Sequence, residues 1–235
     1  MHIPKHIEPL LRHIGRVAES MHTSAYAVGG CVRDWRLGLE DTQDLDVTVE
    51  GSGIDLAQAV GQGLSGTVTV HRQFGTATVV PRGAFRGRID FATCRRETYA
   101  RPAAYPRVEP GTLEDDLFRR DFTINAMAIP LAPARYGELI DPFGGASDLR
   151  RKRLRILHPR SFLDDPSRIL RGIRFRQRFG LRWEAQTARA LRDALAIGAL
   201  GRLNAGRLER ELARMCDEPD PRACFQELAT LLQPL

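Results

Sequence analysis

The sequence predicts an α+β head with a mixed β-sheet, followed by an all-α neck, and three observations carry that expectation. Short alternating segments rich in β-branched residues cluster within the first hundred positions, without a helix between each pair. Helical spacing takes over beyond Asp148, with caps and stops marking successive helices. The hydrophobic fraction of 43% fits a globular chain able to bury a core.

The elements follow in order. Ile7, Leu10, Leu11, Ile14, Val17 and Met21 fall at helical spacing and predict an amphipathic helix. Residues 25–28 read as a short strand that stops at Gly29-Gly30. Residues 31–37 predict a short helix ended by Gly38, since glycine readily takes the left-handed position after a helix. DLDVTVEG alternates and predicts a strand; residues 52–64 predict a helix. TVTVH, TATVV and RIDFAT predict three further strands. Residues 95–111 are polar and contain Pro102, Pro106 and Pro110, which predicts a loop that orders on demand. Asp165 followed by Pro166 is an N-cap and first-turn signature, and Gly180 ends that helix. Helical patterns then cover residues 184–197, 204–216 and the stretch from Asp220 onward. The expected division is a head over 1–150 and a helical neck with the start of a body over 151–235.

Charge narrows the function classes. Lys plus Arg number 35 against 29 Asp plus Glu, a net +6, and only Lys5 and Lys152 are lysine. Codon usage can inflate arginine everywhere, so its placement matters more than its abundance. Residues 150–182 hold twelve basic residues and only two acids, Asp164 and Asp165. A solvated face would mix signs, whereas a one-signed block suits phosphate and makes Arg176 and Arg178 candidate RNA contacts. No apolar run approaches the length of a membrane span, and charges interrupt the N-terminal segment, so neither a span nor a signal peptide is expected. Cys31, Cys94, Cys216 and Cys224 form no CxxC pair, which predicts reduced thiols in a cytoplasmic protein.

The carboxylates point to chemistry. In Asp44-Leu45-Asp46, strand alternation puts both acids on one face, about 6.5–7 Å apart, with Leu45 directed into the core. That spacing lets both acids serve divalent ions roughly 3.5–4 Å apart, an arrangement suited to in-line phosphoryl transfer. Asp90 in RIDFAT faces away from Ile89 and Phe91 and can complete the site, accepting the proton of an attacking hydroxyl. Oxygen-only ligands suit Mg²⁺ rather than zinc. Upstream, Gly29-Gly30 ends a strand and opens a helix, so backbone N–H groups can approach phosphate, with Arg33 adding charge one turn in.

The order of GGCVRD, DLDV, RRDFTINAMA, DPFGGASDL and DDPSRILRGIRF resembles the bacterial-type (class II) tRNA nucleotidyltransferase and poly(A) polymerase family, from about Tyr26 to Gly180. The resemblance implies a head like the DNA polymerase β-like nucleotidyltransferase palm and a helical neck. It implies that Asp44 and Asp46 bind the catalytic Mg²⁺, with Asp90 as third acid. Gly29, Gly30 and Arg33 would hold the triphosphate and Arg120 would meet phosphate. Asp121 and Asn125 would read the ribose, whose 2′-OH separates an NTP from a dNTP. Phe122 and Ile124 would pack. Asp165 and Arg168 would face the base, with Arg171 near the phosphates and Arg174 continuing the same helix face. Where the family usually has Glu before that Asp, this chain has Asp164.

The implied activity is template-independent transfer of CMP and/or AMP to the tRNA 3′ end from CTP or ATP, with no obligate protein partner. The alternatives are a poly(A) polymerase of the same family and, from another class, a non-catalytic RNA-binding protein using the basic block. Residues 95–111 resemble a flexible loop whose loss accompanies CC-only addition, which leans towards competence for A. Family members continue past this length into body and tail regions that anchor tRNA. The expectation is therefore either part of a longer protein or a short enzyme with weaker RNA anchoring.

Overall fold

The computed structural model describes residues 2–101, 103–104 and 106–233. The chain divides into two compact units, one of Met1–Arg96, Val108–Arg120 and Asn125–Ala146, the other of Glu97–Arg107, Asp121–Ile124 and Ser147–Leu235.

The first unit is built on a six-stranded sheet. Its strands are β1 (Ser24–Val28), β2 (Asp44–Glu50), β3 (Thr67–His71), β4 (Thr76–Val80), β5 (Arg88–Thr93) and β8 (Ala128–Pro130), in the order β3-β4-β5-β2-β1-β8. Only β2 and β5 run parallel; the other neighbours are antiparallel, so the sheet is mixed as expected. Alternation explains the layering: Leu45, Val47, Val49, Ile89 and Phe91 are buried, while Asp44 and Asp46 are exposed. Helix α1 (Glu8–Ser20) buries Leu10, Leu11, Ile14 and Ala18, whereas Met21 at its end stays exposed. Helix α2 (Gly30–Arg36) leads through Leu37 to Gly38 at φ +77°, the left-handed stop read from sequence. Helix α3 (Gly53–Gly63) begins at Ser52, whose side chain accepts from the Asp55 N–H.

Residues 95–111 depart from the expected loop. Strands β6 (Arg95–Thr98) and β7 (Arg107–Pro110) pair as a two-stranded ribbon, and Thr112 and Asp115 then form a capping box that starts α4 (Leu113–Phe118). β7 is exposed at every position, so no apolar alternation marked it. Pro102 and Tyr105 lie outside the described residues. β8 also escaped the alternation test, because all three of its residues are buried.

The C-terminal part is helical: α5 (Gly145–Arg150), α6 (Ser161–Asp164), α7 (Ser167–Phe179), α8 (Ala185–Ala196), α9 (Ala205–Cys216) and α10 (Pro221–Leu232). Two-residue strands β9 (Arg153–Leu154) and β10 (Arg182–Trp183) form a short parallel pair. In the second unit Phe122, Phe162, Phe175 and Trp183 interlock, with ring centroids 6.0–6.4 Å apart. Gly172 makes room for this, since a Cβ there would meet the Trp183 ring at 2.2 Å. Helix α7 starts one residue later than read: Pro166 is its N-cap, and Asp165 accepts from the Ser167 N–H instead.

All four cysteines carry free thiols, and burial pushes Cys31 up to about 12 and Cys94 up to about 11. Among the described residues, no helix is long and apolar enough to cross a membrane.

Candidate active site

The first unit gathers the acids on one side of its sheet. Parallel pairing of β2 with β5 puts Asp46 directly opposite Asp90, and Asp44 opposite Arg88. The Arg88 Nε lies 3.0 Å from Asp44 Oδ1 and 3.1 Å from Asp90 Oδ2, so one guanidinium bridges two carboxylates. The Thr78 hydroxyl donates to Asp90 Oδ1 at 2.6 Å and fixes that side chain further. Asp46 keeps a solvent-facing surface but is crowded by surrounding atoms. Burial raises its carboxyl above the ordinary range; Arg120 opposes the rise, and Asp90 and Asp44 add to it. Such mutual repulsion marks a site able to gain from a cation.

The glycine turn closes over this cluster. Gly29 sits at φ +76° and ψ −127°, and a Cβ there would come within 2.6 Å of Arg120 Nη1 and 3.5 Å of Asp46 Oδ2. Arg120 donates through Nη2 to the buried Asp116 at 3.2 Å, while its Nε is buried without a hydrogen-bond partner. Arg33 is buried and held in place: it donates to both Asp34 oxygens at 2.9 and 3.0 Å and to Asn125 Oδ1 at 2.6 Å. Gly30 begins α2 beside Arg33.

The second unit carries its own constellation. Asp121 is buried; its Oδ2 accepts from Arg171 Nε at 2.8 Å and its Oδ1 from the Phe122 N–H at 2.8 Å. Asp121 thus belongs to the second unit and Asn125 to the first. Phe122 and Ile124 are fully buried packing residues. Arg168 is buried and donates to Ser161 Oγ at 2.6 Å. Asp165 accepts through Oδ1 from the Ser167 N–H at 3.0 Å and the Ser167 hydroxyl at 2.6 Å. Asp164 has a buried Oδ1 without a hydrogen-bond partner, with Arg160 at 3.5 Å completing a loose ion pair.

Part of the basic block is paired with acids in space. Arg174 is an internal charge, its side chain 10% exposed, pairing with Glu218 at 2.8 Å and Glu211 at 3.2 Å. Arg176 pairs with Glu227 at 2.9 Å, and Arg178 with Glu218 at 2.7 Å. The three acids lie far along the chain, so a count over residues 150–182 could not include them. The block residues that stay exposed with no described acid partner are Arg150, Arg151, Lys152, Arg153 and Arg182. Register places Arg153 opposite Arg182, so the β9–β10 pair concentrates these charges.

Sequence reasoning also missed Arg88, Thr78 and Asp116. Arg88 left a signal, since it lies two residues before Asp90 and therefore on the same strand face. The others are legible only through pairing between strands or a buried ion pair.

A mixed sheet that presents two carboxylates on β2 beside a third on β5, under a glycine turn, defines a head of the DNA polymerase β-like nucleotidyltransferase class. The chain belongs to the poly A polymerase head domain family, which it matches over residues 25–155. It is 44% identical over 225 residues to the A-adding tRNA nucleotidyltransferase of Halalkalibacterium halodurans, covering 94% of this chain and 52% of that protein. It is 40% identical over 203 residues to the CC-adding tRNA nucleotidyltransferase of Deinococcus radiodurans, covering 85% of this chain and 51% of that one. A solved structure of a CCA-adding enzyme in an apo form superimposes with a TM-score of 0.91 at 41% identity, over 98% of this chain and 54% of that chain. The chain therefore spans about half the length of these relatives.

Membership of a nucleotidyltransferase family implies dependence on a divalent metal. Among the described residues, no group of three or more His, Cys, Asp or Glu side chains is arranged to hold a metal ion. The donor set nevertheless fits a hard cation that takes one or two carboxylates and completes its shell with water and substrate phosphate. The bridging position of the Arg88 guanidinium shows that the carboxylates accept a shared positive charge.

Proposed function

We propose that this chain carries the catalytic and nucleotide-selecting parts of a template-independent tRNA nucleotidyltransferase of the cytoplasm. It adds nucleotides from CTP and/or ATP to a tRNA 3′ end, with AMP addition as the favoured reaction. The observation that carries the reading is the register of β2 and β5, which sets Asp46 beside Asp90 with Asp44 on the same face. The A-adding relative at 44% identity and the presence of the 95–111 segment both favour AMP.

In the reaction, the tRNA 3′ oxygen forms a bond to the α-phosphorus as the bond from that phosphorus to the β-bridging oxygen breaks, releasing pyrophosphate. Asp44 and Asp46 would hold Mg²⁺, which supplies charge neutralisation at the α-phosphate and activation of the hydroxyl. Asp90 accepts the hydroxyl proton. Gly29 and Gly30 allow phosphate to approach the backbone; Arg33 and Arg120 supply positive charge there. Asn125, which accepts from Arg33 within the first unit, is assigned to the ribose; within the second unit Arg171 holds the Asp121 carboxylate. Asp165 and Arg168 read the base: cytosine and adenine offer an amino donor beside a ring-nitrogen acceptor, matching a carboxylate and a guanidinium. Guanine and uracil present the reverse pattern. Arg174, paired internally, is assigned to positioning α7. The exposed cluster of Arg150, Arg151, Lys152, Arg153 and Arg182 is assigned to RNA phosphate, with Arg176 and Arg178 as flanking charges.

The test supplies each NTP separately with tRNA transcripts ending in the discriminator base, in C or in CC. Incorporation of a single AMP on the transcript ending in CC is expected. Long adenylate tails on unrelated RNA primers would identify a poly(A) polymerase instead. Retained tRNA binding with no incorporation at any metal concentration would leave the non-catalytic reading.

A further inference from the structure

The side chain of Asp165 is held asymmetrically. Its Oδ1 accepts two hydrogen bonds, from the Ser167 N–H at 3.0 Å and the Ser167 hydroxyl at 2.6 Å, and a third group, the Arg207 Nη2, forms an ion pair with it at 2.6 Å. Its Oδ2 accepts no hydrogen bond among the described residues. The first two donors are local and belong to the turn into α7. The third comes from α9, forty-two residues further along the chain. Arg207 is itself fixed: it lies in the first turn of α9, and the Asn204 side chain accepts from its backbone N–H at 2.9 Å. Arg207 Nη2 also lies 3.5 Å from Ser167 Oγ, so the guanidinium spans the donor and acceptor of the same local turn. Arg207 and Asp165 side chains are only 20% and 19% exposed, which limits competition from water.

We propose that Arg207 is a positioning residue for nucleobase selection, fixing the Asp165 carboxylate so that a single oxygen is left to accept the amino group of cytosine or adenine. This rests on the assignment of Asp165 to the base. A carboxylate free to turn can offer either oxygen and adjust to a shifted donor or a bridging water, which relaxes discrimination. A carboxylate saturated at Oδ1 presents one acceptor in one place, and a base that puts a carbonyl there leaves both groups unpaired. Selection of this kind depends on preorganisation, since a displacement of about 1 Å can cost on the order of 100-fold in rate.

The experiment compares wild-type protein with Arg207→Met, Arg207→Lys, Ser167→Ala and Asp165→Asn. For each, kcat and KM are measured with all four NTPs on a tRNA ending in CC, alongside the thermal midpoint. Arg207→Met is expected to lower the preference for ATP over GTP and UTP by about 10- to 100-fold, with Arg207→Lys restoring most of it. Ser167→Ala removes another donor to the same oxygen and is expected to move the ratio the same way, which keeps the test decisive if Arg207→Met does not fold. Proportional loss with all four NTPs, or a fall in thermal midpoint with the ratio unchanged, would show an ion pair that only braces α9 and would overturn the inference. If Asp165→Asn leaves the preference intact, the base-reading assignment itself fails. If Asp165→Asn abolishes the preference while Arg207→Met and Ser167→Ala preserve it, only the role of Arg207 fails.

Discussion

Asp46 and Asp90 are direct neighbours across the parallel pair of β2 and β5, although they are separated by more than forty residues of sequence. In the proposed reaction this pairing would put a metal-holding carboxylate beside the acceptor of the hydroxyl proton. Asp44→Ala or Asp46→Ala should therefore lower incorporation by about 10³-fold or more, equivalent to ~4 kcal/mol of transition-state stabilisation. Affinity for tRNA measured by filter binding should stay close to wild type, because these acids repel a polyanion rather than hold it.

The bridge from Arg88 to Asp44 and Asp90 uses oxygens that the proposed divalent ion would also need. Arg88→Ala should tighten Mn²⁺ binding by about 2- to 5-fold, the scale of an exposed ion pair worth up to ~1 kcal/mol. Titration of Mn²⁺ followed by electron paramagnetic resonance reads this without turnover. Weaker binding in the variant would mean that Arg88 supports the metal site instead of competing for it.

The exposed cations of the β9–β10 region and the paired arginines of α7 should separate in a salt titration. Arg151→Ala and Arg153→Ala are each expected to lower the slope of log affinity for tRNA against log salt by about 1. Arg178→Ala should change the slope less, since Glu218 already balances that charge. Equal effects at all three positions would indicate that the ion pair opens to bind RNA.

Arg174 offers a stability test apart from catalysis. Its guanidinium stands between Glu211 and Glu218, both buried. Arg174→Met should destabilise the protein by about 3–5 kcal/mol at neutral pH, the cost of leaving buried charge uncompensated. Urea denaturation measures it, and adding Glu218→Gln should recover part of the loss.

Much of this protein is determined by local sequence. Period-two alternation in DLDV and RIDFAT settled which faces of β2 and β5 carry acid, because strand geometry leaves successive side chains no other choice. Gly38 and Gly180 marked helix ends through the backbone angles that glycine alone adopts cheaply. Ser52, Glu184, Asn204 and Asp220 marked helix starts through short-range side-chain caps. The strands β6 and β7 escaped because their sequences RRET and RVEP are mostly polar, and the edge strand β8 because it is buried throughout, so none of them shows apolar–polar alternation. What only the tertiary structure decided is which charges meet. Strand register brought Arg88 to Asp44 and Thr78 to Asp90, and the packing of α7 with α9 and α10 turned a one-signed run of arginines into paired charges. Arg207 reached Asp165 in the same way. Electrostatic pairing depends on distance in space, and local spacing fixes that distance only within a single helix or strand.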